Sequence, residues 1–167
     1  MKLTFCYAFT KEKEILKWFL DGELEKPNNF VMPKNFQNIK PATKTYILKI
    51  QNEIQDKWFS VEKDFFDIVK KFDLKTQNHY ICYVTRFGCS GLYFPPKSFM
   101  IRISQKIDLK ESVINIAHEL AHLILKANGR EKKLNYIQRE KQVDEFLSQT
   151  NFVKIIGKYP KQNFDEK

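Results

Sequence analysis

The stretch DLKESVINIAHELAHLILKANG, residues 108–129, reads as one helix with both ends marked. Asp108 followed three residues later by Glu111 fits a capping box, in which each side chain satisfies a backbone N–H that the first turn leaves unpaired. Asn128 and Gly129 supply the stop. Between them Val113, Ile114, Ile116, Ala117, Leu120, Ala121, Leu123, Ile124 and Leu125 put apolar groups on nearly every face, so the helix is expected to be buried. Set into it are His118, Glu119 and His122.

Histidines four apart lie one turn from each other on the same helix face, so two ring nitrogens can converge on one Zn²⁺ at roughly 2.0–2.1 Å. Glu119 is rotated off that line and can reach a water activated at the metal without being a ligand itself. The pattern H-E-x-x-H therefore suits a hydrolase in which zinc acidifies water and the carboxylate shuttles its proton. Two of the three histidines in the chain are used here. A buried helix is also a costly place for polar side chains without partners.

A catalytic zinc commonly takes three protein ligands. An extended motif with a third histidine is absent, because Leu125 stands where its Gly and Asn128 where its His would be. His79, at the start of an expected strand, reads as a surface residue. A carboxylate is the better candidate. In the next helix, from about residue 134 to 147, Tyr136, Ile137, Glu140, Val143, Asp144 and Leu147 share one face, with Lys141, Gln142, Glu145 and Gln149 on the other. Two carboxylates on an apolar face need partners. Glu140 is expected to be the third ligand, and Asp144 to accept the second ring N–H of a zinc histidine from outside the ligand set.

Upstream, residues 11–20 read as a short helix and residues 21–41, with Pro27, Pro33 and Pro41, as a turn-rich arm. Ile47, Ile50, Ile54 and Trp58, then, after a possible break at Ser60, Val61, Phe65, Val69 and Phe72, recur at helical spacing, so two amphipathic helices or one broken helix are expected. Residues 80–85, 92–94 and 99–104 read as strands, the last two joined through Pro95, Pro96 and Lys97. The expected division is an N-terminal helix and arm over residues 1–41 and a catalytic domain over 42–167.

An apolar share of 43% and fifteen Phe exclude a disordered chain. Neither a signal peptide nor an apolar run of bilayer length is present, so a cytoplasmic protein without membrane contact is expected. Cys6, Cys82 and Cys89 lack the spacing of a structural zinc site and read as reduced, mostly buried thiols. A net charge of +9 makes nucleic acid a conceivable partner, but the lysines are scattered and read mainly as a solvated surface.

The run from His118 to His122, followed by Glu140, Val143, Asp144 and Phe146, resembles the helix-pair signature of the ImmA/IrrE-like metallopeptidases. It is also similar to the Glu-x-x-x-Asp arrangement of gluzincins, small soluble ones included. Gly91-Leu92-Tyr93 and Ile101-Arg102-Ile103-Ser104 look like the strands that precede the active-site helix, so the likeness covers about residues 45–150. Val143 and Leu147 replace the smaller residues usual there. The resemblance implies an α+β, zincin-like fold: a small mixed or antiparallel sheet packed on an active-site helix and a following ligand helix, with helices N-terminal to them. It implies His118, His122 and Glu140 as zinc ligands, Glu119 as catalytic and Asp144 as an outer partner. It also implies that the strand Ile101 to Ser104 is an edge on which an extended polypeptide substrate pairs.

The leading expectation is thus a zinc-dependent endopeptidase. A second reading is a latent or regulatory zinc protein, zymogen-like or one of a regulatory or toxin-antitoxin pair, with a regulatory protein partner and Cys6 of the arm as a removable ligand. A third, a DNA-associated protease, rests on charge alone. Tyr136, Arg139 and Tyr159 are the candidates for stabilising an oxyanion.

Overall fold

The computed structural model of the chain describes residues 2–25, 27, 29–103 and 108–160. In chain order the elements are β1 (Leu3–Cys6), α1 (Phe9–Leu20), α2 (Lys44–Lys71), β2 (Tyr80–Thr85), β3 (Gly91–Phe94), β4 (Ser98–Arg102), α3 (Leu109–Ala127), α4 (Tyr136–Leu147) and α5 (Thr150–Ile156). The four strands form one sheet in the order β1-β2-β4-β3, parallel between β1 and β2 and between β2 and β4, antiparallel between β4 and β3. The fold is α+β with a small mixed sheet.

Side-chain alternation assigns the two faces of the sheet. Leu3, Phe5, Tyr80, Cys82, Val84, Phe99 and Ile101 point into the main core, shared with α2, α3, α4 and α5. Met100 points the other way, into a smaller cluster with Ile15 and Phe19 of α1. The N-terminal segment packs with the rest of the chain: β1 hydrogen-bonds to β2, and α1 packs on the sheet through Ile15 and Phe19. Glu12 of α1 is fully buried and is held by Arg86, whose Nη2 lies 2.9 Å from Glu12 Oε2 and also donates to the Lys40 carbonyl. Val31 and Gly88 exchange backbone hydrogen bonds of 2.9 Å, so the arm is tied down at several points. The far end of the expected 42–167 domain, beyond residue 160, lies outside the described residues.

α2 runs unbroken for 28 residues, because the Ser60 hydroxyl donates back to the Lys57 carbonyl at 2.7 Å and starts no new helix. β4 is an interior strand, not the edge expected for Ile101 to Ser104; Ser104 itself lies outside the described residues. The edge beside α3 is β3. Asp108 caps α3 by accepting from the Lys110 and Glu111 N–H groups. At the other end, Arg130 N–H bonds to Leu125 C=O and Gly129 N–H to Lys126 C=O, a Schellman turn with Gly129 at φ +71°. That turn reverses the chain so that α4, capped reciprocally by Asn135 and Gln138, packs against α3. No helix among the described residues is long and apolar enough to cross a membrane.

Candidate metal centre

His118 and His122 project from the same face of α3, and Glu140 meets them from α4. The His118 and His122 Nε2 atoms are 3.2 Å apart, and Glu140 places Oε2 3.1 Å from the first and Oε1 3.1 Å from the second. One donor atom from each residue lies within 4.8 Å of the others. The His122 side chain is 1% exposed and that of His118 12%, so the cluster opens to solvent on the His118 side.

Each ring is held from behind through Nδ1. His122 Nδ1 lies 2.8 Å from Glu131 Oε1, whose other oxygen accepts from the Tyr93 hydroxyl at 3.2 Å. The Tyr93 ring lies flat on the His122 ring, with centroids 4.4 Å apart and planes 6° from parallel. His118 Nδ1 meets the Tyr159 hydroxyl, which donates to Asp144 Oδ1 at 3.1 Å. The contact expected directly between Asp144 and a histidine is therefore routed through Tyr159. Both rings turn Nε2 toward Glu140.

The chemistry of this donor set fits zinc. With Nδ1 of each ring hydrogen-bonded to an acceptor, the two Nε2 lone pairs and the Glu140 oxygens all face one point as acceptors. Such a set repels itself unless a proton or a cation sits among them. Nitrogen and oxygen ligands at roughly 2.0–2.1 Å in a tetrahedron stand about 3.3 Å from each other; the two nitrogens are 3.2 Å apart, and each lies 3.1 Å from a different oxygen of Glu140. Without metal a proton takes that place. Burial works against a charged His122, but Glu131 and Glu140 outweigh it and push its pKa up to about 9. Burial likewise works against a charged Glu140, and the two histidines outweigh it, holding that carboxyl at about 2.

Glu119 is buried beside this cluster, against β3. A Cβ built on Gly91 would sit 2.1 Å from Glu119 Oε1 and 2.7 Å from its carboxyl carbon, so the carboxylate occupies the space a side chain at 91 would fill. Burial raises the Glu119 pKa to about 6, with His118 and His122 pulling the other way. Tyr136, one turn before Glu140, is exposed as a whole, while its hydroxyl is partly shielded; that shielding, then the charges of Glu140 and Glu119, raise its pKa to about 12. Of the other helper candidates, Tyr159 is buried and engaged by His118 and Asp144, while Arg139 is half-buried. Glu145 and His79 are exposed, as expected.

Cys6 lies on β1, the sheet edge opposite β3, and points to the face away from the main core; three strand spacings separate it from β3, roughly 14 Å. It cannot reach the cluster. The residues that the sequence did not single out for the site are Glu131, Tyr93 as a ring support, and Gly91 as the space for Glu119. Glu131 sits in the turn between α3 and α4, where no periodicity marks a residue, and a lone acid in the run Arg130-Glu131-Lys132-Lys133 is its only signal. No protein-family model, no curated protein and no solved structure matches this chain.

Proposed function

We propose that the chain is a cytoplasmic, zincin-like metallopeptidase, with His118, His122 and Glu140 holding one zinc ion and Glu119 moving the proton. The observation that supports this is the pairing of a three-residue donor cluster, whose ligand atoms lie within 4.8 Å of one another, with a separate buried carboxylate at its side. Zinc bound there supplies a Lewis acid that polarises the scissile carbonyl and acidifies water. Glu119, with a pKa near 6, is ionised at neutral pH yet basic enough to take a proton from the attacking water and return it to the leaving amine. Unpaired Cys6, Cys82 and Cys89 support a reducing compartment.

An extended peptide fits as the substrate because of β3. Arg102 N–H donates to Ser90 C=O at 3.0 Å, so by antiparallel alternation Leu92 and Phe94 turn their backbone groups to β4. Gly91 and Tyr93 turn theirs to the outer edge, where no strand among the described residues pairs with β3. Those two residues are also the ones beside Glu119 and His122, so a peptide backbone added to this edge runs past the proton carrier and the metal ligands together. The test is hydrolysis of unstructured polypeptides by zinc-loaded protein against its Glu119→Gln variant. Loss of cleavage by roughly 10²- to 10⁴-fold with zinc retained is expected. An inert wild-type protein across a broad peptide library, or a variant as active as the wild type, would defeat the proposal.

A further inference from the structure

The geometry points to Asp144 setting the tautomer of His118 through Tyr159, which makes the segment after α5 a working part of the metal centre. This rests on the reading of His118 as a ligand. A phenol carries one hydrogen. Tyr159 gives it to Asp144 Oδ1 at 3.1 Å, and the same oxygen touches His118 Nδ1. It can meet that nitrogen only as an acceptor, so Nδ1 keeps its hydrogen and Nε2 presents a lone pair beside His122 Nε2 and Glu140. The His118 and Tyr159 rings are within 8° of parallel at a centroid distance of 6.2 Å, the disposition of an in-plane hydrogen bond and not of face-to-face stacking. Tyr159 and Asp144 are 7% and 5% exposed, so water does not compete for either group.

The two ligand histidines are thus anchored differently. His122 bonds directly to the carboxylate of Glu131, an acceptor that can never donate when ionised. Tyr159 is ambivalent. Without the Asp144 carboxylate its hydrogen is free to turn to His118 Nδ1, and the hydrogen on that ring then moves to Nε2, the atom needed for the metal. The proton count does not change; only its place does. Asp144 removal therefore converts Tyr159 from a support into a competitor, and removal of the hydroxyl as well abolishes that competition. Tyr159 and Asp144 are positioning residues in this arrangement.

The experiment measures Zn²⁺ affinity of the full chain by chelator competition at one pH, for wild type, Tyr159→Phe, Asp144→Ala, the double variant and Asp144→Asn. Circular dichroism of each metal-free protein checks folding. Asp144→Ala is expected to weaken zinc binding roughly 10- to 100-fold, the usual range for an outer partner of a ligand histidine. Tyr159→Phe should cost less, and the double variant should recover to the level of Tyr159→Phe alone. Asp144→Asn, whose amide oxygen still accepts from the phenol, should lie near wild type. If Asp144→Ala does not fold, Asp144→Leu, closer in volume, takes its place. Losses that add in the double variant, or a wild-type affinity for Asp144→Ala, overturn the inference while leaving the zinc site standing. A wild-type chain that binds no zinc overturns both.

Discussion

Replacing Gly91 by Ala tests the placement of Glu119 without touching a polar group. The new Cβ would lie 2.1 Å from Glu119 Oε1, 2.7 Å from its carboxyl carbon and 3.0 Å from Cγ, where ordinary contact begins near 3.4 Å. The whole end of the side chain must therefore retreat by more than 1 Å, since the conflict involves three of its atoms and not only the tip. Gly91 lies in β3, fixed to Ile101 of β4, so the strand has little freedom to move instead. Displacing a catalytic group by about 1 Å can cost on the order of 10²-fold in rate. Overpacking costs about 1–3 kcal/mol of stability. The expected result is a kcat at least roughly 10²-fold down, a modestly lower Tm and unchanged zinc content, because the atoms nearest the new methyl all belong to Glu119. Steady-state kinetics, thermal melting and metal analysis on one preparation read all three. A Gly91→Ala protein with wild-type kcat refutes the claim that Glu119 works from the space beside β3.

Other perturbations separate the supports. Glu131→Ala removes the anchor of His122 and should weaken zinc binding roughly 10- to 100-fold by chelator competition, whereas Glu145→Ala, on the exposed face of α4, should leave it unchanged. Tyr136→Phe should keep zinc and KM but lower kcat by up to roughly 10²- to 10³-fold if its hydroxyl meets the developing oxyanion; an unaltered kcat removes it from the chemistry. In the metal-free protein His122 titrates near 9 against 6.5 for a free histidine, so its contribution to stability is complete below about 6.5 and disappears as pH rises through 9. Zinc bound by the three residues would take the place of that proton. At pH 7 its binding should expel about one proton, measured by calorimetry in buffers of different ionisation heat, and zinc binding with no proton released would contradict the protonated His122.

The helix pair was legible because its signals are local. Caps at Asp108 and Asn128, apolar residues around α3 and two carboxylates on the apolar face of α4 need no tertiary information, and they point to His118, Glu119, His122 and Glu140. β1 was not legible: Leu3 to Cys6 offers only four residues of alternation, too few to stand out before a helix. Strand order was hidden as well, because β4 and β3 are both short and apolar, and only pairing with β2 makes β4 interior. Glu131 and Tyr159 reach the site from a turn and from the segment after α5. Their spacing from His122 and His118 follows no helical period, so only the folded chain brings them there.

The central claim is a zinc ion held by two imidazoles and a carboxylate. X-ray absorption at the zinc edge, on protein loaded with one equivalent of zinc and compared with His118→Ala and Glu140→Ala, addresses it most directly. Expected is a first shell of nitrogen and oxygen at roughly 2.0–2.1 Å with the outer-shell scattering of two imidazoles, reduced to one in His118→Ala, and weakened zinc retention in Glu140→Ala. A sulfur shell near roughly 2.3 Å, or a spectrum indifferent to both substitutions, would place the metal elsewhere and contradict the account.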